Sequence, residues 1–169
     1  MKRTLIFLIV GLFYFSATVS AEETQIHVID ILEYGIYTTK KTKTTEAPNS
    51  PGAKRRLMKE VTFAVETDRI DAFIGTHFGF RFVIKGEPKG RKVDIKFVTI
   101  FPASGLRDPI RGKVFYKNEY ITSLEIGKKW LKGYGFDEEW ELVPGKWKFQ
   151  LWHKDRKLAE KTFTVYRPF

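Results

Sequence analysis

Apolar residues recur at every second position through most of the chain. The clearest run is Phe78, Phe80, Phe82 and Ile84, which face away from Arg81. Further alternating segments lie at 61–65, 93–101, 114–116, 120–126, 130–136, 147–152 and 163–165. A period of two is typical of half-buried antiparallel strands, and helical spacing does not fit it. Seven or eight short strands without a helix predict one all-β domain, a β-sandwich with its core between two sheets.

The C-terminal residues predict a hairpin within this sandwich. Trp147 and Phe149 point to one side of a strand, residues 154–157 turn, and Phe163 and Val165 form the inner face of the last strand. In the segment before it, the apolar side consists of Trp130, Tyr134 and Phe136. We expect these aromatic side chains to belong to the core.

The first residues predict export rather than folded structure. A basic start is followed by 11 apolar residues at 5–15, and small residues at Val19 and Ala21 precede a polar segment. This order is that of a secretory signal peptide, and the apolar run is shorter than the roughly 20 residues that a membrane-spanning helix needs. We expect removal of residues 1–21, which leaves a periplasmic or extracellular domain at 22–169 without a transmembrane span.

One long polar segment interrupts the alternation. Residues 38–56 read TTKKTKTTEAPNSPGAKRR, with two prolines, a glycine and one acidic residue, Glu46. This composition predicts a mobile surface loop. The chain has a formal net charge of +10, and a basic mobile segment attracts polyanions. The candidate polyanion-binding residues are Lys40, Lys41, Lys43, Lys54, Arg55 and Arg56.

Several motifs resemble a known group of proteins. Residues 144–149 followed by 157–165 resemble the closing hairpin of bacterial immunoglobulin-like domains. Together with GIY at 35–37, GTHFGF at 75–80, FP at 101–102 and FDEEWE at 136–141, they resemble a family of uncharacterised exported bacterial proteins with a domain of unknown function. The resemblance implies an immunoglobulin-like sandwich in the envelope or outside the cell, and it supplies no catalytic residue.

The absence of cysteine means that no disulfide can stabilise the core. The chain has no cysteine, which excludes disulfides, thiol catalysis and cysteine zinc sites. The disulfide that joins the two sheets of antibody-type domains is therefore absent, and packing against a tryptophan such as Trp147 would have to replace it.

Candidate catalytic chemistry is confined to one acidic segment. Asp137, Glu138, Glu139 and Glu141 surround Trp140, and paired carboxylates beside an aromatic ring serve sugar hydrolysis in some enzymes. A glycosidase, however, places its carboxylates across a cleft rather than side by side on one segment. A solvated corner paired with neighbouring cations is the simpler interpretation.

No metal or cofactor is predicted. His27, His77 and His153 lie far apart without a close pair, and no serine is framed as a nucleophile. The sequence favours an exported, non-catalytic binding or structural module of the bacterial envelope with an unknown partner, and nucleic acid is not expected. The alternative is a polyanion-binding protein that uses the basic loop for lipopolysaccharide, anionic lipid or acidic glycan, and a weaker one is a hydrolase that uses residues 137–141.

Overall fold

Two facing sheets form the domain, and the computed structural model describes residues 23–168. Its strands are β1 (Gln25–Glu46), β2 (Lys54–Val65), β3 (Arg69–Asp71), β4 (His77–Glu87), β5 (Lys92–Ile100), β6 (Leu106–Asp108), β7 (Lys113–Phe115), β8 (Lys117–Glu125), β9 (Lys129–Gly135), β10 (Gly145–His153) and β11 (Arg156–Tyr166). One sheet has the order β2-β1-β4-β9 and the other β3-β11-β10-β5-β8, while β6 and β7 form a separate ribbon. Strand pairs are antiparallel except for β3 and β11, which run parallel.

The core lies between these sheets and is built from aromatic side chains. Phe78, Phe80 and Phe82 on β4 are completely buried, and so are Trp147 and Phe149 on β10. The alternation of the sequence predicted this inner face, because every second side chain of a strand points to the same side of its sheet. The all-β class predicted from the pattern is confirmed.

The long loop predicted at 38–56 is not a loop. Residues 38–46 continue β1, residues 54–56 begin β2, and the two strands stay paired from Ile36 opposite Val65 to Glu46 opposite Lys54. β1 pairs with β4 only as far as Tyr37. Residues 38–62, where β1 and β2 pair only with each other, form a ribbon that we call the β1–β2 arm.

Threonines explain why this polar segment is extended. Their β-branched side chains favour strands, and they also bond across the arm. The hydroxyl of Thr39 donates to the carbonyl of Lys59 at 2.7 Å, and that of Thr45 donates to the carbonyl of Arg55 at 3.3 Å. Polarity indicated a loop here, whereas the threonine content favours a strand.

The tip of the arm is attached to the body of the sandwich. Pro51 is buried in a single-turn 3₁₀ helix (Pro51–Ala53), and Ser50 Oγ lies 3.2 Å from the side-chain oxygen of Asn118 on β8. The amide of Gly52 donates to the buried carboxylate of Asp108 at 3.0 Å, and Arg111 donates to the carbonyl of Ser50 at 3.1 Å. The arm therefore folds back over the sandwich and is anchored at its tip, whereas a mobile surface loop was expected.

The predicted strand number was too low. Eight strands of the described chain have seven or more residues, and β3, β6 and β7 add three residues each. β6 and β7 lie in or at the end of the connection expected at 102–113. The predicted signal peptide, residues 1–21, lies outside the described residues. Within residues 23–168 no helix is long and apolar enough to cross a bilayer.

Candidate functional site

A cavity of about 420 Å³ opens where the edge strands of the two sheets face each other. β9 is the edge of one sheet, β8 is the edge of the other, and the β1–β2 arm lies over the space between them. The wall is largely apolar, with Phe97, Tyr120, Leu124, Trp130 and Leu131 among its residues. Pockets of this size, with apolar walls and a few polar groups, are the usual form of small-ligand sites.

A lysine occupies a core position at the base of this cavity. Lys132 on β9 lies opposite Phe80 of β4 and is only 4% exposed. Its Nζ donates to Thr99 Oγ1 on β5 at 2.8 Å, so the bond joins the two sheets. The rings of Phe97, Tyr120 and Phe149 surround the amine, with centroids 5.3 to 5.5 Å from Nζ.

Burial controls the protonation of this lysine. Removal of the ammonium from water, together with the positive charge of Arg55, lowers the pKa of Lys132 to about 7. The amine is therefore divided between its charged and neutral forms near neutral pH. An anion beside it would favour the charged form.

Arg55 brings a second cation to the same place from the arm. Its guanidinium carbon lies 3.6 Å from the centroid of the Tyr120 ring, a cation–π contact. Its Nε is buried and has no hydrogen-bond partner in the structure. Among the described residues, neither Arg55 nor Lys132 forms a salt bridge with a carboxylate. Buried donors are normally bonded, so an unbonded Nε beside a cavity suggests that a ligand completes it.

The neighbouring phenols do not supply the missing negative charge. Burial raises the pKa of Tyr120 to about 12, although Arg55 opposes the shift, and burial also raises the pKa of Tyr37. Both phenols are therefore neutral at physiological pH. Within residues 23–168, no carboxylate or phenolate forms an ion pair with Arg55 or Lys132, which we call the cationic end of the cavity.

The carboxylates that line the same cavity are already bonded within the protein. Glu141, which is 6% exposed, accepts hydrogen bonds from the Tyr134 hydroxyl at 2.6 Å and from the amides of Asp137 and Glu138 at 2.6 and 2.9 Å. Burial raises the pKa of Glu141, while these hydrogen bonds oppose the shift. Asp137 forms an ion pair with Arg56 of the arm. These carboxylates hold the local structure together.

Comparison with known proteins identifies the family. A family model described as "Domain of unknown function (DUF3859)" matches residues 25–165. The chain belongs to the DUF3859 family. Comparison with curated proteins finds no significant match.

Solved structures establish the fold of this DUF3859 domain. The crystal structure of an immunoglobulin-like protein from Pseudomonas aeruginosa aligns with a TM-score of 0.58 and 26% identity, over 86% of this chain and 98% of the other. A β-D-glucoside glucohydrolase from Trichoderma reesei aligns over 82% of this chain and 19% of its own, with 12% identity and a TM-score of 0.34, too low to show a shared fold. The resemblance to an immunoglobulin-like family of unknown function is confirmed.

The DUF3859 structure divides the six predicted polyanion-binding residues. Lys54, Arg55 and Arg56 line the cavity, whereas Lys40 and Lys43 are exposed on β1 of the arm. The backbone of Lys41 pairs with Lys59 across the same ribbon. The predicted set therefore contributes to two different surfaces.

Sequence reasoning missed Lys132, although the pattern contained a signal for it. Trp130 and Tyr134 were assigned to one side of their strand, and alternation places residue 132 on that same side. A charged residue at an apolar register position is an informative exception, since a buried charge is costly. In the acidic segment, Glu139–Glu141 form a 3₁₀ turn.

The histidines of this DUF3859 domain lie on three separate strands. His27 is on β1, His77 on β4 and His153 on β10. Within residues 23–168 no three His, Asp or Glu side chains are grouped as metal ligands would be.

Proposed function

We propose that this DUF3859 domain is a non-catalytic binding module of the bacterial envelope that holds an anionic ligand in the cavity between its sheets. The carrying observation is the buried Lys132 together with the partly buried Arg55, whose Nε is buried: two cationic side chains lie against one Tyr120 ring without a carboxylate partner among the described residues. Burial of unpaired charge is unfavourable, and an anion in the cavity would offset it.

The test is stabilisation of the folded protein by anions. Urea unfolding would be measured at constant ionic strength with inorganic phosphate, 3-phenylpropionate or heparin, with chloride as the reference. A ligand that binds only the folded state raises the unfolding free energy. At least one anion should stabilise the wild type and lose most of that effect in Arg55→Met. Stabilisation by none of them would contradict the proposed function.

Envelope localisation is a separate part of the proposal and rests on the sequence. The basic, apolar and small-residue order of residues 1–21 is the observation that supports export. The intact mass of the exported protein should correspond to a chain that begins at Glu22. A periplasmic or secreted product that retains Met1 would contradict removal of the segment, and a cytoplasmic product would contradict export.

Polyanion binding by the arm is the second candidate function. The exposed Lys40, Lys43 and Lys59 lie on a ribbon whose β2 strand is the free edge of its sheet, so their charges face solvent. Such charges attract lipopolysaccharide, anionic lipid or acidic glycans at long range. A heparin column separates this function from cavity binding, because a long polyanion requires only the surface.

The acidic segment carries no hydrolase proposal. The carboxylates that line the cavity are Asp137, Glu138 and Glu141, all from one segment. The arm side of the cavity presents Lys54, Arg55 and Arg56 instead of an opposing carboxylate. A glycosidase requires one carboxylate on each side of the scissile bond.

A further inference from the structure

The cationic end of the cavity has unused hydrogen-bonding capacity. An ammonium group has three N–H donors and a guanidinium has five, so both cations can bond more than one acceptor. Lys132 Nζ has Thr99 Oγ1 as its acceptor, and the buried Nε of Arg55 has none. Both cations contact the Tyr120 ring, Arg55 at 3.6 Å and Lys132 at 5.3 Å from its centroid. An oxygen-bearing anion next to this ring would supply the missing acceptors.

The charge of the two cations indicates that the ligand carries a single negative charge. Arg55 is permanently charged, whereas Lys132 is divided between two forms near neutral pH. A monoanion is balanced by Arg55 alone, whereas a dianion is balanced only when Lys132 is charged as well, and burial of that ammonium opposes its charged form. Transfer of excess charge into an apolar site is strongly unfavourable.

The cavity walls indicate what is attached to that charge. Phe97, Leu124, Trp130 and Leu131 offer apolar surface. The indole N–H of Trp130 already donates to the carbonyl of Glu125 at 3.1 Å, so that donor is occupied within the protein. These walls favour a hydrocarbon body, aliphatic or aromatic, next to the charged group.

The arm limits the size of the ligand. Its tip is bonded to Asn118 and Asp108, and Arg56 pairs with Asp137 across the cavity. A cavity of about 420 Å³ closed in this way is at the small end of the range for organic ligands. A long polyanion would have to displace these contacts.

Resting on the proposed function, we infer that the ligand of this cavity is a small monocarboxylate with an apolar body. Its carboxylate accepts hydrogen bonds from Arg55 Nε and Lys132 Nζ, and its body packs against the wall formed by Phe97, Leu124 and Trp130. No covalent step is involved.

Calorimetric titration with 3-phenylpropionate tests this inference. The matched neutral ligand is 3-phenylpropanamide, which has nearly the same shape without the charge, and inorganic phosphate is the anion without the apolar body. Hydrogen bonds to charged groups are strong, so the amide should bind at least about tenfold more weakly than the carboxylate. Phosphate should bind as weakly as the amide or more weakly.

Variants locate the binding to the two cations. Lys132→Met and Arg55→Met keep much of the apolar stem and remove the charge, and each should weaken 3-phenylpropionate binding at least about tenfold. Lys43→Met removes an exposed charge that does not line the cavity, and affinity should stay within about twofold. Unfolding curves establish that each variant is folded before titration.

A measurement on the wild type makes the test independent of the variants. The ¹³Cε NMR signal of Lys132 in lysine-labelled protein reports the protonation of its amine. Bound carboxylate should raise the pKa of Lys132 from about 7.

Equal binding of acid and amide, or an unchanged Lys132 titration with bound ligand, would overturn the inference. Phosphate or heparin binding that depends on Arg55, without carboxylate binding, would overturn the ligand class and leave the proposed function intact. Absence of all anion binding would overturn both.

Discussion

The interior of the sandwich has a sealed region and an open one, built on the same strands. In the sealed region, Phe78 contacts Phe149, Phe163 and Trp147 with ring centroids 5.4 to 5.9 Å apart, and all four side chains are fully buried. Such stacked and edge-to-face contacts add to the stabilisation from burial of apolar surface.

The open region begins where the register places polar side chains beside the aromatic ones. Lys132 lies opposite Phe80, and Thr99 lies opposite Phe149. Their hydrogen bond replaces apolar packing between the sheets, and the cavity extends from it towards the arm. The comparison shows that two polar side chains at register positions, Lys132 and Thr99, separate the packed core from the cavity.

Truncation in the sealed region should give the largest loss of stability. Trp147→Ala removes a fully buried ring. It also removes the 2.9 Å hydrogen bond that Trp147 Nε1 donates to the carbonyl of Val143. Removal of such a side chain costs about 3–5 kcal/mol because a cavity remains. Urea unfolding of the two proteins measures the difference.

Trp152→Ala is the matched control on the same strand. Trp152 is only partly buried on the other face of β10, where its Nε1 donates to Gln150 at 2.9 Å. Its truncation should cost clearly less than that of Trp147. Equal losses for the two tryptophans would contradict the assignment of Trp147 to the sealed core.

In the open region, we expect a substitution that raises the unfolding free energy instead of lowering it. Lys132→Met replaces a buried cation with an apolar side chain of similar length, which removes the cost of burying an unpaired charge. We expect a gain in unfolding free energy at pH 7, together with the loss of anion binding. Lys43→Met, at an exposed position, should change stability little. A loss of stability in Lys132→Met would show that the Thr99 bond and ring contacts outweigh the burial of charge.

The pH dependence sharpens this prediction. The folded-state pKa of Lys132, about 7, is below its ordinary value of 10.5, so between these values the unfolded chain holds a proton that the folded protein has released. Wild-type stability should therefore gain a rising contribution from pH 7 upwards that is absent below pH 7. The other ionisable groups facing Lys132, namely Arg55, Tyr120 and Tyr37, are unchanged in Lys132→Met. The variant should show a flatter profile between pH 6 and pH 9, and parallel profiles would contradict the pKa assignment.

The two regions also differ in how far the sequence predicted them. The aromatic row of β4 and the inner face of β10 followed from alternation, because apolar side chains at every second position have one favourable location. Lys132 was missed because a charged residue is normally assigned to solvent, and only the cross-sheet contacts with Thr99 show why it is inside. The arm was missed for a related reason. Polar composition suggested mobility, while the anchoring of its tip by Asp108 depends on a contact 56 residues away in sequence.

Substitution of Glu141, a carboxylate that lines the cavity, should cause a loss of unfolding free energy smaller than that of Trp147→Ala. Glu141→Leu leaves the Tyr134 hydroxyl and the amides of Asp137 and Glu138 without their acceptor, at a cost of about 1–3 kcal/mol. Glu141→Gln should retain most of the stability, since its amide oxygen can accept from both backbone amides while its NH₂ group faces Tyr134. Glu139→Leu, at an exposed position of the same turn, is the control. Comparable losses for residues 139 and 141 would contradict a structural role specific to Glu141.

The smallest effect on stability is expected from the exposed lysines of the arm. Replacement of Lys40, Lys43 and Lys59 together by glutamine should change the unfolding free energy by less than about 0.5 kcal/mol, as is usual for surface substitutions. The same change should lower the salt concentration at which the protein leaves a heparin column, since exposed charges act over a distance of about 10 Å at 0.1 M ionic strength.

A second triple variant controls for net charge. Lys89, Lys92 and Lys146 are exposed and lie outside the arm, so their replacement by glutamine removes the same charge from elsewhere. If the arm concentrates the attraction, its variant elutes earlier than this control while both retain 3-phenylpropionate binding. Equal elution of the two variants would assign heparin retention to overall charge. The cavity would then be the binding site that distinguishes the open region from the sealed one.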